Sequence, residues 1–380
     1  MPPHGAFRAR QRFGSLDGLR CASVLAVIWH HAGGHHEGPL GLGFLGVDLF
    51  FAISGFLITT LLLREHAATG RIDLRRFYVR RSLRIFPLYF AVLGLYVLLV
   101  AGTGRAATPE GAAFLHDVPA FATYTSNWFV GADAGEHTIF YFAWSLATEE
   151  QFYLVWAPLL LILMARGRVR SAAIVLTGLV VIDQLASRAG GTGLGLTVLR
   201  SVATPICLGA LWALALHSPA GFRVAARMIG GRWAAPAVTA ALAAAVVLVA
   251  PVELIDVLLA ALVAVCCVRD DHALAPLLGA RPVVFLGTIS YGMYLLHMLA
   301  VNAVRPALGA HAGVGVFAGA VVVTVALAAA SHRWFEGPIL RYKARFSVLP
   351  AGAARRPAEP AEPAPMPPAA LRTPARRAAA

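Results

Sequence analysis

Charged residues are scarce in this sequence. Asp, Glu, Lys and Arg make up 13 % of its 380 residues, whereas about a quarter is usual for a soluble globular protein. Hydrophobic residues account for 58 % of the chain, and the mean hydropathy is +0.70. These values exclude a soluble domain. They predict an all-α polytopic membrane protein, because a helix satisfies its backbone hydrogen bonds within one segment in lipid.

Acidic residues and cysteines are also few. The net charge is +13, but the arginines lie in short loops between apolar runs, as the positive-inside rule predicts, so we expect no nucleic-acid partner. The four cysteines show neither the spacing of a disulfide framework nor that of a zinc site, so we expect no metal centre. They lie in or at the ends of apolar runs, at Cys21, Cys207, Cys266 and Cys267.

Apolar stretches predict about ten transmembrane helices. They cover roughly residues 15–33, 43–63, 83–101, 139–164, 171–187, 195–216, 233–250, 252–268, 283–303 and 313–333. An even number of spans puts both termini on one side, and the arginine-rich loops make that side the cytoplasm. No cleavage pattern follows the first apolar run, so we expect that run to be retained as a span.

Three parts follow from this pattern. Residues 1–14 form a basic cytoplasmic N-terminus, and residues 15–340 form the transmembrane domain. Residues 341–380 are rich in Pro, Ala and Arg, with almost nothing to bury, and predict a disordered cytoplasmic tail. The longest predicted outside loop, residues 102–138, is long enough to act as a lid or to contact a substrate.

The first span carries two polar residues on one face. Arg20 and His31 are eleven residues apart, which is close to three helical turns, or about 16 Å along the axis. A fixed cation and a titratable imidazole on one stripe are costly inside a membrane and indicate a function.

Carboxylates interrupt the second and fourth spans. Asp48 lies at the start of the second span, where it either orients His31 or caps the helix. Glu149 lies in an apolar, aromatic run and shares a face with Tyr153. Either a catalytic role or an ion pair with an arginine of another helix fits Glu149.

An arginine series precedes the third span. Its members are Arg76, Arg80, Arg81 and Arg84, and three of them recur every four residues. Such a cluster near a membrane is typical of an anchor for anionic lipid. A periodic row of guanidinium groups also suits a ligand with several phosphates.

The ninth span carries a polar stripe. Tyr291, Tyr294 and His297 follow each other at intervals of three residues. A histidine in an apolar span is commonly a hydrogen-bonded packing residue, so the pattern assigns Tyr294 and His297 a supporting role at most.

Six motifs, taken together and in order, resemble the family-3 membrane acyltransferases, also called the O-acetyltransferase family. They are LDGLRCASVLAVIWHH, GVDLFFAISGFLI, FYVRRSLRIFPLYF, WSLATEEQFYLVW, ISYGMYLLH and RWFEGP. The resemblance covers nearly all of residues 14–340.

The resemblance implies roles for the residues noted above. The family's pattern of an arginine, ten residues and a histidine falls on Arg20 and His31, so His31 rather than His30 takes the catalytic role. The arginine series would hold the phosphates of a cytoplasmic acyl-CoA donor. Asp48 or Glu149 would orient His31, and Arg20 would hold a phosphate or the carbonyl oxygen of the donor.

 The donor that the resemblance implies is acyl-CoA, with acetyl as the commonest acyl group, and it acts as a substrate rather than as a bound cofactor.

The acceptor and the location follow from the same resemblance. It implies an O-acyltransferase of the inner (plasma) membrane whose partners are membrane lipid, acyl-CoA and an acceptor hydroxyl. The acceptor is a carbohydrate, a glycolipid or a small secreted molecule. His31 would be a general base or a transient acyl carrier.

A transporter without a covalent step is the competing hypothesis. Intramembrane Arg, His and Glu residues also mark ion and proton pathways. The group of His30, His31, His35, His36 and Glu37 adds a metal-transport variant, since His31 and His35 are one helical turn apart. The other spans offer no obvious second set of metal ligands.

Overall fold

The computed structural model describes residues 3–10, 12–33, 39–130, 138–343 and 346. Every regular element within these ranges is helical, which confirms the all-α prediction. The α-helices are α1 (His4–Ala9), α2 (Gly14–Ala32), α3 (Leu45–Thr69), α4 (Leu74–Gly102), α5 (Pro109–Ala122), α6 (Ser126–Phe129), α7 (Trp144–Ala165), α8 (Val169–Arg188), α9 (Leu194–Arg200), α10 (Thr204–His217), α11 (Pro219–Ile229), α12 (Ala234–Val247), α13 (Val252–Val268), α14 (Ala275–Leu278), α15 (Arg281–Thr288), α16 (Ser290–Leu308), α17 (Val314–Ser331) and α18 (Gly337–Lys343).

Several helical segments are long and apolar enough to cross a membrane. Within the described ranges there are five: Leu45–Thr69, Leu74–Gly102, Tyr141–Ala165, Val169–Arg188 and Val314–Tyr342. Three pairs of consecutive helices reach the required length only together and are bent by 43°, 71° and 75°, which raises the number to as many as eight. These pairs are α9 with α10, α11 with α12, and α15 with α16. The chain is thus a multi-pass membrane protein.

The predicted number of ten spans is not confirmed. Residues 15–33 and 252–268 fold as helices, α2 and α13, but neither meets the length and composition of a span. Helix α2 carries Asp17, Arg20 and two histidines in its 19 residues, which lower its mean hydropathy. Helix α13 has only 17 residues. The cytoplasmic location of both termini also remains a prediction.

Helices α3 and α10 are in backbone contact at two glycines. A Cβ atom on Gly55 would overlap the carbonyl of Ile206, and one on Gly209 would overlap the carbonyl of Ala52. Small residues allow this close approach of two helices in lipid. The contact fixes α3, which carries Asp48 and Ser54, within the bundle.

Helix α2 is in contact with several other helices of the bundle. It packs against α3, α15, α16 and α17. A Cβ atom on Gly287 of α15 would overlap the backbone of Asp17, so α15 approaches the first turn of α2 closely. Because α2 runs through the bundle, we name the two ends of the bundle after its polar residues, the Arg20 end and the His31 end.

The arginine series lies at the start of α4. The Asp73 side chain caps this helix by accepting a hydrogen bond from the backbone N–H of Arg76 at 2.9 Å. A residue of this type at a helix start satisfies one of the free backbone donors. The cap lets the helix begin before the first arginine, so the whole series lies on one continuous helix.

Two predicted segments are described only in part. The predicted outside loop contains α5 and α6, and Tyr89 of α4 donates a hydrogen bond to the carbonyl of Phe121 at 2.9 Å, which holds α5 against the bundle. Residues 131–137 of that loop lie outside the described residues, as does nearly all of the predicted tail. Disorder of the tail therefore stays a prediction.

Candidate active site

His31 lies in the last turn of α2 and lines a cavity of about 640 Å³, the His31 cavity. Its Nδ1 is 2.9 Å from the backbone oxygen of Val27, one turn earlier in the same helix. When Nδ1 carries the proton and donates it to this oxygen, Nε2 keeps the lone pair. The local helix geometry therefore favours Nε2 as the basic nitrogen of His31.

Helix α16 supports His31 from the neighbouring side. The rings of His31 and His297 are 4.9 Å apart between centroids. His297 is fully buried, and its Nε2 has no hydrogen-bond partner in the part of the chain that the structure describes. Arg305 donates a hydrogen bond to the backbone oxygen of His31 at 2.7 Å. These contacts hold the end of α2 and the His31 ring in place.

Glu149 lies near the start of α7 and lines a second, narrow cavity of about 110 Å³, the Glu149 cavity. One carboxylate oxygen accepts a hydrogen bond from the Ser54 hydroxyl at 2.7 Å. The other accepts one from the Tyr153 hydroxyl at 3.1 Å. Both oxygens are therefore fixed, and the carboxyl group of Glu149 has a defined position.

Three guanidinium groups line this same cavity. Arg20 comes from α2, and Arg81 and Arg84 come from α4. The Arg81 guanidinium lies over the Tyr153 ring at 4.6 Å from its centroid, a cation–π contact. Three arginines around one carboxylate leave an excess of positive charge, which suits an anionic ligand.

A third cavity, of about 290 Å³, opens next to the Glu149 cavity at the Arg20 end. We call it the Arg12 cavity, and Arg64 also lines it. Arg20 and Arg84 line both the Arg12 cavity and the Glu149 cavity. Arg20 pairs with Asp17 at 2.9 Å, but about a third of its side chain remains exposed, at 32 %. The arginines are thus reachable from the Arg20 end.

The Glu149 cavity also borders the His31 cavity. Val47 and Tyr294 line both of them. The Tyr294 hydroxyl donates to the carbonyl of Phe142 at 2.8 Å and lies 2.6 Å from the Ser145 hydroxyl, which fixes the ring at this boundary. Three cavities therefore follow one another from the Arg20 end, where arginines line them, to the His31 end, where His31 lines the last of them together with Arg105 and Arg305.

The sequence matches a known protein family over most of its length. Residues 13–333 match the family model described as an acyltransferase domain, Acyl_transf_3. The chain belongs to this acyltransferase family. The match covers α2 to the end of α17 and includes every lining residue of the three cavities except Arg12.

Curated relatives carry related names. The chain is 30 % identical over 362 residues to the "Putative peptidoglycan O-acetyltransferase YrhL" of Bacillus subtilis, which covers 85 % of this chain and 54 % of the relative. It is 34 % identical over 168 residues to the peptidoglycan O-acetyltransferase OatA of Listeria monocytogenes, covering 41 % of this chain and 25 % of the relative. A "Putative O-acetyltransferase" of Staphylococcus aureus is 40 % identical over 155 residues, 39 % of this chain and 25 % of its own length.

These relatives are longer than the matched region. The chain spans about half the length of the Bacillus protein and a quarter of the Listeria and Staphylococcus proteins. No solved structure matches the chain.

The acyltransferase fold brings most of the predicted site residues together. Arg20, Arg81, Arg84, Glu149 and Tyr153 line the Glu149 cavity. His31 and Tyr294 line the next cavity, and His297 packs against His31. Arg20 and His31, predicted to face one space, line two neighbouring cavities instead.

Asp48 lies elsewhere. It lines a separate cavity with Asp183 and Asp256, whereas His31 lines the cavity next to it. Glu149 is likewise one cavity away from His31. The contacts of the His31 ring include the carbonyl of Val27 and the rings of His30 and His297.

Two of the predicted donor-binding arginines have local ion pairs. Arg80 pairs with Glu65 at 3.0 Å, and Arg76 pairs with Asp73 at 3.4 Å. Neither lines the three cavities described above. The regular spacing of the series predicted a shared face, but the bundle turns only its later members, Arg81 and Arg84, toward the cavities.

The metal-transport variant is not tested by the structure. His35, His36 and Glu37 lie outside the described residues. Within the described ranges, no group of three His, Cys, Asp or Glu side chains is arranged to hold a metal ion.

The structure places three residues at the site that were not predicted from the sequence: Ser54, Arg64 and Arg305. A single sequence does not show which distant residue a hydroxyl or a basic loop residue contacts. Only the packing of the helices therefore identifies these three residues.

Proposed function

We propose that this chain is an integral-membrane O-acyltransferase that moves an acyl group, acetyl being the first candidate, from acyl-CoA to a hydroxyl of a glycan. The observation that carries the proposal is the series of three cavities joining an arginine cluster to His31. Membership of the acyltransferase family and the names of the relatives support it.

The donor enters at the Arg20 end in this proposal. The phosphates of CoA bind Arg20, Arg81 and Arg84, because guanidinium groups bind phosphate with two hydrogen bonds and stay charged at any physiological pH. Arg12 and Arg64 add positive charge along the entrance. The thioester end then extends past Val47 and Tyr294 toward His31.

His31 acts as the general base. Its Nε2 removes the proton from the acceptor hydroxyl while that oxygen attacks the thioester carbonyl carbon. The carbon–sulfur bond of the resulting tetrahedral intermediate breaks, and the CoA thiolate takes up the proton held by His31. The carbonyl of Val27 and the ring of His297 orient the imidazole for this step.

The direction across the membrane follows from the same assignment. We place the Arg20 end in the cytoplasm, where acyl-CoA is found, and the His31 end at the outer face of the plasma membrane. The arginine-rich loops of the sequence support this orientation. Residues 1–14 and 341–380 are then both cytoplasmic.

The acceptor class is a surface polysaccharide or a glycolipid. Two relatives have peptidoglycan O-acetyltransferase in their names, which supports a glycan acceptor and makes peptidoglycan the first to test. A secreted small molecule stays the next candidate.

Reconstitution tests the function. The chain is placed in lipid vesicles with labelled acetyl-CoA, and soluble peptidoglycan fragments are supplied on the opposite side. Mass spectrometry of the fragments should show an added acetyl group and an equal amount of released CoA. Uptake of protons or metal ions without any acylated product would replace the enzyme with the transporter hypothesis.

A further inference from the structure

A fourth cavity, of about 730 Å³, lies at the His31 end and is not used by the mechanism above. We call it the acidic cavity. Helices α3, α6, α7, α8, α9, α10 and α13 contribute to its lining, and Trp128 lies in α6. Tyr141 and Trp144 line both this cavity and the His31 cavity. Two aromatic side chains are therefore the shared wall between it and the proposed general base.

Acidic side chains outnumber basic ones in the lining of this cavity. The lining contains four carboxylates, Asp48, Asp183, Glu253 and Asp256, and two guanidinium groups, Arg188 and Arg200. The first of these arginines pairs with Glu253 at 2.9 Å. The second donates to backbone carbonyls of α8 and of the residue that follows it. Three aspartates thus have no ion pair within the described ranges.

Asp256 is the least compensated of them. Its side chain lines the cavity, the residue is only 5 % exposed, and its Oδ1 has no hydrogen-bond partner among the described residues. By contrast, Asp183 accepts a hydrogen bond from Thr204 at 2.6 Å. A buried carboxylate oxygen without a donor is costly and calls for a ligand that supplies one.

The remaining lining fits a ligand with many hydroxyl groups. The Gln184 amide oxygen and the Thr197 hydroxyl oxygen can accept hydrogen bonds, and Ser187 adds a hydroxyl, whereas Asn127 already exchanges hydrogen bonds with Gln151. Trp128 adds an indole whose flat face can pack against the apolar face of a sugar ring. Pockets that combine aromatic walls with a few polar groups are typical of small-ligand sites.

We propose that the acidic cavity is the acceptor subsite and binds one sugar unit. Hydroxyls of the sugar donate hydrogen bonds to Asp256 and Asp48, and its ring packs against Trp128. A further hydroxyl of the acceptor extends past Tyr141 and Trp144 to reach His31. This inference rests on the proposed acyl transfer.

Kinetics test the subsite. Asp256→Asn and Asp48→Asn each keep the size of the side chain but replace one accepting oxygen with an amide nitrogen that only donates, so the KM for a soluble glycan acceptor should rise about tenfold or more in each. The KM for acetyl-CoA should not change. Glu253→Gln is the matched control, because this carboxylate is paired with Arg188 and 38 % exposed, and it should change the acceptor KM less than twofold. Equal effects of all three variants would overturn the proposal.

Direct binding separates this inference from the proposed function. Saturation-transfer NMR on the protein in lipid nanodiscs, without acetyl-CoA, should detect methyl β-glucoside with wild type and lose most of the signal with Asp256→Asn. Binding of tetramethylammonium instead of the glycoside would identify a cation site and overturn the proposal, as would binding of neither probe. Glycoside binding without any acyl transfer would retain the subsite and reject the enzyme.

Discussion

The two ends of α2 differ in the kind of charge that they offer. At the Arg20 end three guanidinium groups from two helices line one narrow cavity, and none of them can lose its charge at physiological pH. At the His31 end guanidinium groups are also present, Arg105 and Arg305 among them, but the cavity adds imidazoles, which exchange protons in the physiological range. A permanent positive cluster suits a polyanionic ligand, and a titratable group suits proton transfer. The comparison shows that one helix can carry a permanently charged group for ligand binding at one end and a titratable group for proton transfer at the other.

The largest effect is expected at the His31 end. His31→Ala should lower kcat by about two to four orders of magnitude, since this is the usual contribution of a general base. Acetyl transfer to peptidoglycan fragments in vesicles is the measurement.

His30→Ala is the control for this variant, because it removes an imidazole from the neighbouring position of the same helix. It should be mild. Equal losses in the two variants would remove the assignment of His31 as the base.

Substitutions at the Arg20 end should weaken binding of the donor rather than lower kcat. Arg84→Gln should raise the KM for acetyl-CoA about tenfold, because one charge-assisted hydrogen bond to phosphate is lost. Initial rates at several donor concentrations measure it. Arg76→Gln is the control, since Arg76 pairs with Asp73 and is half-exposed.

If both arginine variants weaken only the association with anionic lipid and leave the donor KM alone, the arginines are a lipid anchor. The Arg20 end would then have no role in binding the donor.

A smaller change is expected behind His31. The ring contact between His31 and His297 is of a kind worth about 0.5–1.5 kcal/mol. His297→Gln should therefore lower kcat about two- to tenfold, with both KM values unchanged. A lower thermal midpoint with normal kcat would make His297 a packing residue only.

The smallest effect concerns stability at the Arg20 end. Burial lowers the pKa of His272, which lies in the loop before α14, 2.9 Å from the Ser15 hydroxyl. The unfolded chain then binds the proton more readily than the folded chain, so this contribution is full above about pH 6.5 and is lost as the pH falls below that value. The thermal midpoint in detergent should fall toward pH 5, and less so in His272→Gln. An identical pH dependence in both proteins would contradict this.

The sequence was sufficient for the class of fold and for choosing most of the candidate site residues. Apolar runs of about 20 residues leave few alternatives to helices, and a polar residue inside such a run stands out because its burial is costly. This is why Arg20, His31 and Glu149 could be named from the chain alone. The number of spans was less accessible, since bent pairs such as α15 and α16 read as one apolar run.

The sequence by itself determined which residues are polar within the apolar helices and which of them share a helical face. Only the tertiary structure decided that Arg81 and Arg84 reach the cavity while Arg76 and Arg80 pair locally. It also placed Asp48 in the same cavity as Asp256 and not in the cavity that His31 lines. Periodicity fixes directions within one helix, but the rotation of one helix against another depends on close contacts such as Gly55 with Ile206, which lie far apart in the chain.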